Sequence, residues 1–368
     1  MKRKLFIGLI SGTSIDGVDC ALIAFENNEL ELVATHFEET TTSLKESILK
    51  LTTGIDISLN LFGKTHVAVG KAFANAVLNL LQKTDINSED ITAIGSHGQT
   101  VWHSPSGESP FTIQIGDPNT IAQHTGITTV ADFRQRDIVL GGQGAPLAPL
   151  LHKELFFHSQ VDRAIINIGG MANLTALPRN GKCFAYDTGP GNVLMDHWVN
   201  KHKEKRYDLD GNWGASGKRN TNLLNCLLEE PYFKLKPPKS TGRELFNEHW
   251  LNNKLQEYGK TIEPNDLQAT LSFFTATSIA NALKDFCSNS EVYICGGGAH
   301  NKLLMQNIKD LVPDSLISTT QKLGVDPDWV EAITFAWLAK QTLEGKTVST
   351  CEFTGALKPA ILGGIYKK

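Results

Sequence analysis

The chain runs through one structural plan twice, and that repetition most limits what it can fold into. Lys4 to Ile10 is apolar, Ser11 to Gly17 interrupts it with small and turn residues, and Val18 to Phe25 resumes as a second apolar stretch. Asn27-Asn28 then turns the chain into Glu29 to His36, whose alternation suits a half-exposed strand. The same order returns later. Arg163 to Ile168 is apolar, Gly169-Gly170 breaks it, Ala172 to Leu177 resumes, Arg179-Asn180-Gly181 turns, and Cys183 to Tyr186 gives a third short strand. Each three-stranded meander is followed by a helical period, Thr65 to Leu81 and Leu271 to Phe286. A short buried strand ending in glycine closes each round: Ile91 to Ile94 before Gly95-Ser96-His97-Gly98, and Val292 to Cys295 before Gly296-Gly297-Gly298. The economical reading is an α/β fold of two duplicated lobes rather than one large α/β domain. Its expected division is residues 1–135, with part of the tail 354–368, against residues 136–353.

Length supports two lobes, because 368 residues exceed what one hydrophobic core usually serves. The balance of 35 Lys+Arg against 39 Asp+Glu leaves a net charge of -4, which lacks the positive field of a nucleic-acid binder. Six scattered cysteines with no C-x-x-C pair suit a reducing compartment and argue against a disulfide framework or a zinc ribbon. The basic start Met1 to Lys4 and the apolar run Leu5 to Ile10 imitate an export signal, but the run stops at Ser11 and carboxylates follow at Asp16 and Asp19. No stretch reaches the about 18 apolar residues a membrane helix needs. A cytoplasmic protein with no membrane or nucleic-acid partner is expected.

The turns carry the chemistry. A glycine-rich hairpin turn can form a concave nest of backbone N–H groups for phosphate oxygens, and small side chains allow close approach. Two such turns, one per lobe, suit a nucleoside triphosphate, with Asp16 and Asp19 as hard oxygen ligands for Mg²⁺. The third glycine run suits the sugar and base of the nucleotide. Competing motifs fail. Gly211 to Arg219 imitates a P-loop, but Asn212 stands where its first glycine belongs and Arg219 where Ser or Thr belongs. Gly296 to Asn301 is only the start of a dinucleotide fingerprint. There is no H-E-x-x-H, and His152 and His158 are too far apart to share a helical turn.

Six motifs then carry a resemblance: Ser11 to Asp19, Ser96-His97-Gly98-Gln99-Thr100, Asp132 to Asp137, Gly141 to Leu147, Asn167 to Asn173 and Asp187-Thr188-Gly189-Pro190-Gly191-Asn192. Together, in order over nearly the whole chain, they closely resemble the anhydro-N-acetylmuramic acid kinase family of the actin-like, sugar kinase and heat-shock ATPase superfamily. The resemblance implies two lobes around an ATP cleft that closes over its ligands. It also implies an enzyme that uses ATP and water to open the 1,6-anhydro bridge of an amino sugar and phosphorylate the freed 6-oxygen. The product is N-acetylmuramic acid 6-phosphate, in the recycling of cell-wall murein. ATP and Mg²⁺ are the implied cofactors, and a homodimer the implied assembly. ATP would meet Gly12, Thr13, Ser14, Ile15, Asp16, Gly17, Val18, Asp19, Gly169, Gly170, Gly297 and Gly298.

Asp187 ends the predicted strand and enters a Gly-Pro-Gly turn, so its carboxylate suits a general base. As an Asx-turn residue it would only organise Thr188 to Asn192. The residues alone leave both open, and the resemblance favours the base. Glu331 matches a family carboxylate near the substrate that assists ring opening, although Val330, Ile333, Thr334 and Trp337 already supply an inward helical stripe around it. Arg134 and Arg136 share a face if extended and could hold sugar polar groups or the lactyl carboxylate, or else pair with Asp132 or Asp137. His97 is a candidate for a sugar hydroxyl or a core histidine. Gln114 and Asp117, at the end of the strand Phe111 to Ile115, resemble a second substrate loop. The basic runs Lys201 to Arg206 and Lys234 to Lys239 read as solvated loops. Another sugar kinase or an ATP-driven binding protein of the same superfamily, and a glycosidase working with Asp187 and Glu331 without nucleotide, are the competing readings.

Overall fold

The computed structural model describes residues 3–12, 14–27, 29–237, 239–286 and 289–368. Thr13 and Asn28, named above for the nucleotide and the first turn, lie outside the described residues. Contacts divide the chain into Met1–Leu151 with Trp329–Lys368, and His152–Asp328.

In the first unit, β1 (Lys4–Ser11), β2 (Gly17–Glu26) and β3 (Glu29–Glu39) form the antiparallel meander. The Leu59–Leu81 helix follows, starting six residues before the apolar period because Ser58 caps it by accepting from the Leu61 amide. Next, β4 (Ile91–Ser104) returns parallel to β1, β5 (Phe111–Ile115) pairs with its far half, and β6 (Thr129–Ala131) lies parallel beside it. The C-terminal strand Gly364–Tyr366 pairs with β6 and completes seven strands among the described residues. β4 is longer than its apolar core suggests: Ser96 to Thr100 lie inside the strand rather than after it, because β5 continues the pairing where the buried stretch ends.

The second unit repeats the arrangement. β7 (Arg163–Ile168), β8 (Met171–Leu177) and β9 (Phe184–Pro190) form its meander. The Pro264–Phe286 helix leads to β10 (Glu291–Cys295), parallel to β7, and β11 (Leu316–Thr319) lies parallel beyond it. Both connecting helices have 23 residues. The second begins seven residues before Leu271, with Pro264 at its first position, where a missing N–H costs nothing. β9 stands at the edge of its sheet and runs on through Asp187 to Pro190 instead of stopping at Tyr186.

The expected lobe boundary needs correction on both sides. Residues 136–151 and 329–353 belong to the first unit. Gly8 on β1 and Gly95 on β4 are direct partners, and together they open a gap over the sheet. The helix Val330–Leu343 descends into it so far that a Cβ on Gly8 would overlap the Ala332 carbonyl, and one on Gly95 the Phe335 carbonyl. This backbone-to-backbone seat fastens Glu331 to the first unit. Gly95→Ala should therefore cost stability, at least about 1–3 kcal/mol on the scale of overpacked cores, measurable as a lower urea midpoint with unchanged slope.

Candidate active site

At the end of the first sheet, Ser11 donates to the Gln99 side chain at 2.6 Å, tying the turn after β1 to β4. Ile15 in that turn takes φ 53° while its side chain is buried, a conformation costly for a β-branched residue and typical of functional turns. Ile15 and Val18 thus give their side chains to the core and offer only backbone to a ligand. Ser14 and Asp16 are exposed, Gly12 is half-buried and Gly17 buried. Asp19 is half-buried on β2, opposite Ile10. Among the described residues no three His, Cys, Asp or Glu side chains gather as a metal cage. As hard oxygen donors Asp16 and Asp19 still suit Mg²⁺ chemically, since that ion takes one or two carboxylates and fills its shell from phosphate and water.

Arg134 is the hub of the same unit. Its Nε donates to His97 Nε2 at 2.9 Å and its Nη1 to the Gly144 carbonyl at 2.7 Å. Because Nε2 accepts, Nδ1 carries the proton and donates to the Gly98 carbonyl at 2.9 Å. Burial and the neighbouring guanidinium hold the imidazole well below its usual pKa, so it is neutral. His97 therefore spends both nitrogens inside the protein, against the ring of Phe335 at 4.6 Å between centroids. Burial lowers Arg134 to about 10, still charged, with Glu331 and Asp137 supporting the charge. Glu331 stands exposed in the first turn of its helix, yet the protein around it partly desolvates the carboxyl and raises it, and Arg134 opposes the rise. Asp137 is fully buried rather than a surface partner, accepting from the Gly144 amide at 2.6 Å and the Thr354 hydroxyl at 2.8 Å.

Arg136 does not join this hub. The helix Gln135–Val139 stands where either a strand or a loop would have let the two arginines act together, so a residue two places on points elsewhere, and Arg136 is exposed. Asp117 caps the helix Pro118–Thr125, accepting from Asn119 N, Thr120 N and Thr120 Oγ1, and these bonds hold its carboxyl below the usual range. Gln114 donates to Thr100 and Thr112 hydroxyls at 3.2 and 2.7 Å.

In the second unit the glycine runs converge on the end of β7. The Gly169 and Gly170 carbonyls accept from the amides of Gly191, Asn192 and Val193, the entry to the helix Val193–Lys203. A planar trans peptide then turns the Gly170 N–H away from that helix. A Cβ on Gly191 would overlap the Gly169 carbonyl, and one on Gly298 the Ile168 side chain. Asn192 bridges the runs by donating to the Ile168 carbonyl at 3.1 Å, and a Cβ on Gly297 would meet only the Asn192 amide nitrogen, at 3.9 Å.

Asp187 stands on β9, two strands from β7. Between Ala172 and Asn173 the β8–β9 register slips by one residue, a bulge at Thr188 beside Asp187, and bulges re-aim neighbouring side chains. Asn173 is its direct cross-strand partner, Asn167 the next and Cys295 beyond, so a polar row crosses four strands on one face. The carboxylate accepts from the Thr241 amide at 3.0 Å, and Asp187 to Pro190 continue β9 as a strand rather than forming an Asx turn. Burial raises its pKa to about 6, with Glu244 adding to the rise and the Thr241 amide opposing it. Lys239 departs from the expected solvated loop: its carbonyl accepts from the Asp187 amide at 3.2 Å and its ammonium lies over the Tyr232 and Tyr186 rings. Asn167 and Asn173 could have been noticed as asparagines inside strand patterns, where they are depleted. Nothing local marks Tyr232, Lys239 or Thr241, which reach Asp187 across about 40 to 55 residues of chain.

Two units, each joining an antiparallel meander to parallel strands through one long helix, define the actin-like class of ATPases and sugar kinases. The likeness to component A of the Acidaminococcus fermentans (R)-2-hydroxyglutaryl-CoA dehydratase agrees on the fold, with a TM-score of 0.50 at 10% identity over 90% of this chain and 96% of that one. Within that class the chain belongs to the anhydro-N-acetylmuramic acid kinase family, whose sequence profile matches residues 4–368. It is 52% identical to the anhydro-N-acetylmuramic acid kinase of Coxiella burnetii (strain RSA 493 / Nine Mile phase I), over 100% of this chain and 98% of that protein. It is 47% identical to that of Saccharophagus degradans over the whole of both. No helix among the described residues is long and apolar enough to cross a membrane.

A carboxyl whose folded pKa exceeds its unfolded value binds extra protons when folded, so stability falls as pH rises from about 4 to about 6 and stays lower above. Asp187→Asn keeps the acceptor for Thr241 and removes that penalty. Its thermal midpoint should exceed wild type by about 2–4 °C at pH 8, with the gain vanishing below about pH 4.

Proposed function

We propose that this enzyme opens the 1,6-anhydro bridge of 1,6-anhydro-N-acetylmuramic acid with water and places the γ-phosphoryl group of ATP on the freed 6-oxygen. The observation that carries the reading is Asp187: a carboxylate re-aimed by a bulge, held by one amide and raised to about 6, so that it is ionised near neutral pH yet basic enough to take a proton. Asp187 removes a proton from water as the water oxygen bonds to the anomeric carbon. The bond from that carbon to the bridging oxygen breaks, and its electron pair stays on the oxygen that takes the phosphoryl group from ATP, leaving ADP. Glu331 assists departure of the bridging oxygen. Arg134, charged and fixed by His97 and Gly144, holds an anionic or hydroxyl group of the sugar. His97 then acts through Arg134, and Gln114 and Asp117 shape the substrate loop.

The turn Gly12 to Asp19 and the glycines at 169–170 and 297–298 receive the nucleotide. Mg²⁺, held by Asp16 and Asp19 directly or through water, would neutralise phosphate charge. A homodimer in the cytoplasm, working in murein recycling, completes the reading. The glycosidase alternative needs no nucleotide and leaves the convergence of glycine runs without use.

The decisive assay mixes enzyme, Mg-ATP and 1,6-anhydro-N-acetylmuramic acid in ¹⁸O-water, beside N-acetylmuramic acid and N-acetylglucosamine. ADP formed in step with a sugar phosphate carrying label at the anomeric oxygen, from the anhydro compound alone, is the expected result. ADP with every sugar or with none overturns the assignment. Asp187→Asn should reduce turnover by at least ~10²-fold while retaining ATP and sugar binding by calorimetry, and chelation of Mg²⁺ should abolish turnover.

A further inference from the structure

β9 is an edge strand, so the outward backbone groups of its residues need partners from outside the sheet. At Asp187, Lys239 and Tyr232 supply both of them. The Asp187 N–H donates to the Lys239 carbonyl at 3.2 Å, its carbonyl accepts from the Tyr232 hydroxyl at 2.5 Å, and its carboxylate Oδ2 accepts from the Thr241 amide at 3.0 Å. That pair is itself clamped: the Lys239 ammonium lies 4.7 Å from the Tyr232 ring centre and 5.7 Å from that of Tyr186, and Nζ donates to the Tyr232 carbonyl at 3.3 Å. Tyr232 is buried among Phe233 and Phe246, at ring distances of 5.8 Å each. The Thr241 hydroxyl, by contrast, is buried with no hydrogen-bond partner among the described residues, so the contribution of Thr241 to Asp187 comes from its main chain.

We propose that the strap formed by Tyr232 and Lys239–Thr241 is the positioning device for Asp187, and that the main-chain amide of Thr241 selects which carboxylate oxygen meets the substrate water. With Oδ2 engaged, Oδ1 is left for the proton, and the side chain cannot rotate without losing the amide. The inference rests on the reading of Asp187 as the base. The charged and titratable groups of the strap and its neighbours are Glu244, which raises the Asp187 carboxyl, Tyr232, whose hydroxyl burial keeps protonated, and Lys239, engaged on the tyrosine rings. The Thr241 amide favours the carboxylate form.

Thr241→Pro removes that N–H, whereas Thr241→Ala keeps it and removes the hydroxyl together with the γ-methyl. The alanine variant should keep kcat within about twofold. The proline variant should lose kcat by about 10–10²-fold, the scale of a misplaced reacting group, with KM for ATP within about twofold. The acid limb of its kcat/KM profile should move up by about one pH unit, as expected when a donor to a carboxylate is lost. Titration of the ¹³C-labelled Asp187 carboxyl reads the same shift without turnover. Tyr232→Phe, which keeps the ring and loses the bond to the Asp187 carbonyl, serves if the proline variant does not fold, and should lower kcat with unchanged KM for ATP. If Asp187→Asn is inactive while Thr241→Pro, or Tyr232→Phe in its place, has wild-type kcat and acid limb, the strap is overturned and the base stands. If Asp187→Asn is as fast as wild type, the base reading fails, and a wild-type carboxyl titration in Thr241→Pro overturns the strap as well.

Discussion

The first unit depends on a contact between backbones. Gly8 and Gly95, paired across β1 and β4, let the Val330–Leu343 helix rest its Ala332 and Phe335 carbonyls on the sheet. Any side chain there would lift the helix, and with it Glu331 at its first turn and Phe335 against His97. A chain segment nearly 200 residues beyond the first lobe's expected end is thereby built into that lobe. Close packing transmits the consequence directly, since interiors of this density hold few voids to absorb a shift.

From that seat the chemistry of the unit follows in steps. Phe335 confines the imidazole of His97, the Gly98 carbonyl sets its tautomer, and the accepting Nε2 aims Arg134. The second contact of Arg134 comes from Gly144, whose amide is held by buried Asp137, itself tied to Thr354. The motif Gly141 to Leu147 thus reaches Arg134 through Gly144. A guanidinium fixed at two of its nitrogens loses less entropy on binding an anion than a free side chain would.

The second unit solves a different problem with the same economy. The end of its β7 gathers glycines, because Gly191 and Gly298 must each admit another chain segment where a Cβ would collide. Its carboxylate stands on an edge strand, where unsatisfied backbone groups invite a cover. The cover that satisfies Asp187's backbone also desolvates its side chain, so one packing event supplies both geometry and basicity.

Patterns of short range were legible without coordinates: the two meanders, the strand Phe111 to Ile115, the glycine breaks and the long helices all appear, because periodicity and turn chemistry act within a few residues. The candidate site was legible as residue types: Asp187, Glu331, Arg134 and His97 were named from motifs. Their partners were not. Arg136 leaves the group because a helix replaces an extended stretch, His97 turns inward to serve Arg134, and Lys239 leaves the surface for Asp187. What the sequence by itself determined is the repeated α/β plan and the chemistry available to it. Only the tertiary structure decided which lobe holds residues 329–353 and which amide holds Asp187. Those contacts join segments tens to hundreds of residues apart, and packing selects them once the chain has closed.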